Sequence, residues 1–221
     1  MKVNAKAVSY IITGTILYEV ALLTSILLKT GHVVFQGLTY NSLLVILNAA
    51  YFFIILYLIN ILKFLNEKRS VTTAFTIYIF YHLALFLCWL IIKPLGFTLF
   101  YTSMSFLSLA ILIYLLVNTF RIQNIELAPP FLLFSWALFA IVLFKTVAPV
   151  ILILCNFKNA VLYIPLVELL LPLTIIYILH QTSQYLNKKP LFNLADVQST
   201  SNYIYKDAPD ITINKDDHDR P

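Results

Sequence analysis

Six times along its length the chain runs for about 20 residues with few or no charges, the length a helix needs to cross a hydrocarbon core of roughly 30 Å. The runs cover residues 8–28, 42–62, 71–92, 97–120, 130–155 and 161–180. They are rich in Leu, Ile and Phe and do not alternate in polarity, as barrel strands of about ten residues would. Inside hydrocarbon only helices and closed barrels satisfy every backbone group. The expected fold is therefore all-α: a polytopic membrane bundle of six transmembrane helices. Composition supports this, with 61% hydrophobic and 11% charged residues, against about 45–50% and 25% in soluble domains. An ordinary soluble protein is excluded, as is disorder over most of the length.

The first run follows Lys2 and Lys6, as a signal peptide would. It is too long for a signal core, carries Glu19 near its centre and lacks a small-residue cleavage site. A retained first helix is expected. Orientation is read from basic residues near helix ends. Lys2, Lys6, Lys63, Lys68, Arg69, Arg121, Lys188 and Lys189 fall on one side, and only Lys29, Lys93 and Lys158 on the other. Eight against three places both termini in the cytoplasm of a plasma or bacterial inner membrane. An even number of spans requires both termini on one side, which is compatible with the charges.

Residues 1–186 are expected to form the six-helix domain, and residues 187–221 a cytoplasmic, mostly disordered tail. The tail holds six of the ten acidic residues and few large aliphatics, too little apolar surface to offset the entropy of ordering. Lys188 and Lys189 sit where anionic lipid attracts them. The cluster Asn202, Tyr203, Ile204, Tyr205 and Lys206 is where a protein partner can dock, although a solvated tail is the simpler expectation.

An ionisable group at mid-bilayer costs about 2.5–3.5 kcal/mol on insertion scales, so it marks function by default. Four such residues are candidate substrate- or proton-binding groups. Glu19 is central in the first run and His82 in the third. Lys145 lies slightly beyond the middle of the fifth, and Glu168 slightly before the middle of the sixth. At about 1.5 Å per residue, Lys145 and Glu168 come out at matched depth. Glu19 and His82 lie only about 2–3 Å deeper. Each charge alone would be driven neutral by desolvation, whereas a Lys145–Glu168 pair keeps both ionised. The short 156–160 connection makes their helices expected neighbours. One carboxylate is then in excess, which suits proton or cation coupling. The competing reading is an ion pair that only fixes helix register.

Pro149 follows Lys145 by four residues, and Pro172 follows Glu168 by four. Mid-helix prolines free the carbonyl four residues back, so both charges are expected beside kinks, around a small hydrated cavity between the last two helices. Pro165 follows Val161 by the same step with no charge involved. Tyr78, His82, Leu85 and Trp89 share one helical face, as a pocket lining or a packed interface, with Trp89 as an interfacial anchor. Asn48 with Tyr51, and Tyr114 with Asn118, are expected to hydrogen-bond between helices.

Recognisable chemistry is scarce. No phosphate loop, dinucleotide fingerprint or nucleophile elbow is present. Cys88 and Cys155 carry no metal or disulfide spacing, and no His/Asp/Glu grouping fits a metal. No cofactor and no nucleic-acid partner is expected, and the enzyme reading is weak. Arg121 and Ile122, followed by Pro130, Phe131, Leu132 and Leu133, resemble a helix connection in the tryptophan-rich sensory (translocator) proteins. That family has five spans and many tryptophans; this chain has six runs and only Trp89 and Trp136. The resemblance implies at most a ligand-binding analogue. The functional expectation is a small proton- or cation-coupled transporter, or a ligand-binding permease-like protein, with the bilayer and a small molecule or ion as its partners. The alternative is a non-catalytic membrane subunit or scaffold of a larger complex.

Overall fold

A computed structural model of the chain describes residues 3–29, 37–92 and 98–188. The described residues are helical, with no strand among them. The elements are α1 (Ala5–Lys29), α2 (Gly37–Phe64), α3 (Arg69–Ile92), α4 (Thr98–Thr119), α5 (Ala128–Leu154), a 3-10 helix (Lys158–Leu169) and α6 (Leu170–Lys188). Five helical stretches are long and apolar enough to cross a membrane: Ala5–Leu28, Tyr40–Phe64, Arg69–Cys88, Ala128–Leu154 and Tyr163–Lys188. This fits a helical membrane bundle. The fourth run does form α4, but its apolar stretch Phe106–Thr119 is shorter. Residues 1–186 make one compact unit and 187–221 a second, of which only Asn187 and Lys188 are described. The expected tail segment beyond Lys188 and the side chain of Trp89 lie outside the described residues.

Helix ends are set by local chemistry. Asn4 caps α1, its Oδ1 accepting from the amide of Ala7 at 2.7 Å. α2 ends at Asn66, which takes the left-handed conformation with φ 54°. The amide of Asn66 then donates to the Lys63 carbonyl and that of Glu67 to the Leu62 carbonyl, both at 3.1 Å, the paired bonds of a Schellman motif. Asn156 (φ 65°) ends α5 in the same way, with its amide on the Ile153 carbonyl and that of Phe157 on the Leu152 carbonyl. α5 starts with prolines in its first turn, where a missing amide hydrogen costs little.

The last run departs from the expectation of one kinked α-helix. Pro165 lies inside the 3-10 helix, and Pro172 is the third residue of α6 rather than a mid-helix kink. Two prolines seven residues apart each exclude the α-type bond to the residue four back. The 3-10 helix runs from Lys158, seven residues before Pro165, to Leu169, and the α-helix begins where Pro172 fits its first turn. Twelve residues of 3-10 are unusual, because such runs rarely exceed one turn and often mark a hinge or a strained sequence.

From α1 to the 3-10 helix consecutive elements pack on each other, and the 3-10 helix also packs on α1. These six elements thus close into a ring in chain order. Packing is unequal along its length. At the end that carries the 65–68 and 120–127 connections, one core joins Val8, Tyr57, Leu58, Phe75, Leu115, Phe131, Phe134 and Ile178. At the opposite end, the described side chains of α3 beyond Ile79, of α4 before Leu112 and of α5 beyond Ile141 include no buried residue. A small cluster there, Leu22, Ile26 and Leu47 with Leu169 against it, ties α1, α2 and the 3-10 helix.

The closed end is fastened by polar groups. Glu67, 8% exposed, accepts from the amide of Gln123 through Oε2 at 2.8 Å and from that of Asn124 through Oε1 at 2.9 Å. One carboxylate thereby joins the α2–α3 and α4–α5 connections. Thr119 of α4 meets Ser135 of α5 through their hydroxyls at 2.8 Å.

Candidate functional site

Lys145 Nζ donates to Glu168 Oε1 in an ion pair between α5 and the 3-10 helix. Their side chains are 44% and 31% exposed. Lys145 stands just past Ile141, the last buried residue of α5. The pair therefore lies where the packed half of the ring gives way to the loose half. Pro149, inside α5, removes the amide that would otherwise close on the Lys145 carbonyl.

Across the ring, four aromatic residues gather on α1–α3. Tyr51 and Tyr78 share a hydroxyl–hydroxyl hydrogen bond at 2.6 Å, and both are buried. His82 meets the Tyr51 ring edge-on at 5.0 Å between centroids and lies 6.3 Å from that of Tyr78. Tyr18 stacks on Tyr51 at 6.0 Å. Tyr18 and Leu169, the residue after Glu168, pack against the same small cluster of Leu22, Ile26 and Leu47, so the aromatic group and the ion pair lie on neighbouring elements.

Of the four sequence-selected residues, Lys145 and Glu168 meet directly, and His82 belongs to the aromatic group. His82 makes ring contacts and no hydrogen bond to a described residue. Glu19 stands apart. The buried face of α1 runs through Val8, Thr15, Leu22 and Ile26. Tyr18 and Glu19 flank that face, about 100° apart on the helix, and both are half-buried. Glu19 is half-buried and makes no hydrogen bond or ion pair with a described residue.

Tyr18 escaped sequence analysis because α1 is apolar on nearly every side, so no stripe reveals its inward face. Tyr51 was assigned only to packing; it supplies the interhelical bond expected of it. The asparagines differ from expectation. Asn48 and Asn118 donate to carbonyls of their own helices, Leu44 and Tyr114, both at 2.8 Å. The carbonyl four residues back is a partner within reach in any helix orientation. Glu67 was also missed, its only signal being an acidic residue within the basic connection Lys63–Arg69. Cys88 and Cys155 are free thiols, and no metal-binding group of His, Cys, Asp and Glu occurs among the described residues.

Compared with models of known protein families, with curated proteins and with solved structures, the chain matches none.

Proposed function

We propose that the chain is a six-span membrane protein with both termini in the cytoplasm of a plasma or bacterial inner membrane. Six apolar runs and the excess of Lys and Arg at one set of helix ends support this topology. In this orientation the packed end of the ring faces the cytoplasm and the loose end faces outward. The protein acts as a small proton- or cation-coupled transporter, or a ligand-binding permease-like protein, whose substrate enters from the loose end. The observation that carries this reading is the half-exposed Lys145–Glu168 pair, held at the boundary of the packed core. A pair serving only as a register pin has no need of partial exposure. Lys145 and Glu168 hold the substrate, His82 borders it, and Glu19 is the titrating carboxylate.

The test uses protein reconstituted in liposomes that enclose a pH dye. Addition of a panel of small ions and zwitterions to wild type should change internal pH for at least one class. Glu19→Gln, shown to elute as a folded species, should lose that pH change. A variant that keeps the wild-type response removes Glu19 from the coupling role.

One observation favours a second reading. Glu19 has no described polar partner, so the pair can stand alone as a device that fixes the register of α5 against the 3-10 helix in a structural subunit. The charge swap Lys145→Glu with Glu168→Lys separates the two. A scaffold keeps its assembly and stability after the swap, whereas an oriented substrate site loses ligand response.

A further inference from the structure

We propose that the Lys145–Glu168 site receives a small zwitterion, a molecule bearing one ammonium and one carboxylate, which exchanges partners with the pair. The inference deepens the transport reading and rests on it. Both site charges lie in an apolar belt where an unpaired ion is expensive. A simple anion that bound Lys145 would leave Glu168 unmatched, and a simple cation on Glu168 would leave Lys145 unmatched. A zwitterion replaces one ion pair by two and leaves no charge without a partner. Tyr18 and Leu169, the residue after Glu168, pack against the same small cluster, so an ammonium drawn to Glu168 comes to the side that carries an aromatic ring, which favours cations. Lys145 and Glu168 are themselves 44% and 31% exposed, so both charges are open to an incoming molecule. The 3-10 helix that carries Glu168 touches both α5 and α1, so separating Glu168 from Lys145 acts directly on the closure of the ring.

The experiment follows the melting temperature of the purified full-length protein in detergent. The probes are L-alanine, L-leucine and L-phenylalanine, each beside the matching amine without the carboxylate and the matching acid without the ammonium. At least one zwitterion should raise the melting temperature, at concentrations about thirtyfold or more below its two single-charge analogues, as expected when one partner of a desolvated charge pair is lost. Lys145→Met and Glu168→Gln should each remove the shift. The double variant, which has no charge left to orphan, should regain wild-type stability without regaining the shift. If an acid analogue is as effective as its zwitterion, and more so at low pH, the site takes an anion with a proton. The zwitterion proposal is then overturned while the proposed function stands. An amine as effective as its zwitterion overturns it in favour of a cation site. No shift with any probe also overturns it, and a charge-swapped variant that then melts like wild type takes the proposed function with it.

Discussion

Two asparagines end helices here at positions where glycine is usual. Asn66 and Asn156 both adopt positive φ, a conformation that Asn tolerates because its short side chain bonds locally. In a chain with four glycines, these residues mark where α2 and α5 must stop. Asn66→Ala should cost about 1–2 kcal/mol, the penalty of a side chain in left-handed backbone, and Asn66→Gly should be close to neutral. Thermal melting in detergent checks both. Next to it, Glu67 engages two amides with one buried carboxylate. Glu67→Gln places an amide donor against one of those amides and should destabilise by about 1–3 kcal/mol, as for a buried group left unsatisfied. The same melting series, with Glu67→Asp as a variant that keeps the charge but shortens the reach, reads the loss. Neither role was legible as energy in the sequence. Asn66 is locally readable as a turn residue, but the amides of Gln123 and Asn124 lie more than fifty residues from Glu67 and only folding brings them together.

At the scale of elements, the last run shows how prolines shape a site. Pro165 and Pro172 were visible, and their effect on backbone bonding follows from elementary sterics. The sequence did not show that the segment would answer with twelve residues of 3-10 instead of a kink. The 3-10 geometry rises about 2.0 Å per residue and aligns positions three apart, so it sets both the depth and the direction of Glu168. Pro165→Ala with Pro172→Ala should let α-helix extend backward and turn Glu168 away from Lys145. The expected result is a smaller coupling energy between Lys145→Met and Glu168→Gln in the proline-free background, measured by a double-mutant cycle on melting temperature. An unchanged coupling energy would show that α5 alone positions the pair. Hydrogen bonds between helices add little to this picture. The Thr119–Ser135 contact belongs to a class averaging about 0.6 kcal/mol, so Ser135→Ala should shift stability only slightly.

Within residues 1–186, packing is tight at the end that carries the 65–68 and 120–127 connections, and the described side chains of α3, α4 and α5 at the other end are less buried. Large buried side chains, among them Tyr57, Phe75, Phe131 and Phe134, fill the packed end. A cysteine at Leu58 or Phe134, both fully buried, should resist a membrane-impermeant maleimide. A cysteine at Leu85 or Ser108, in the loose halves of α3 and α4, should react with it. Labelling measured in a background without Cys88 and Cys155 tests the asymmetry, and equal protection at both ends would contradict it. This unevenness places the half-exposed Lys145–Glu168 pair at the edge of the packed core.

The sequence by itself determined the helical class, the approximate helix limits and the depth at which Lys145 and Glu168 match. These are local properties: in hydrocarbon a segment satisfies its own backbone within itself, and depth follows from counting residues along one axis. Tertiary structure decided the rest. It alone stacked Tyr18 on Tyr51, gathered Tyr51, Tyr78 and His82 into one contact group, and locked two distant connections through Glu67. The physical reason is that lipid is as apolar as a protein interior. Helices meant for a bilayer need no polar stripe to mark their outer face, so rotation about each axis is written only in side-chain packing against neighbours.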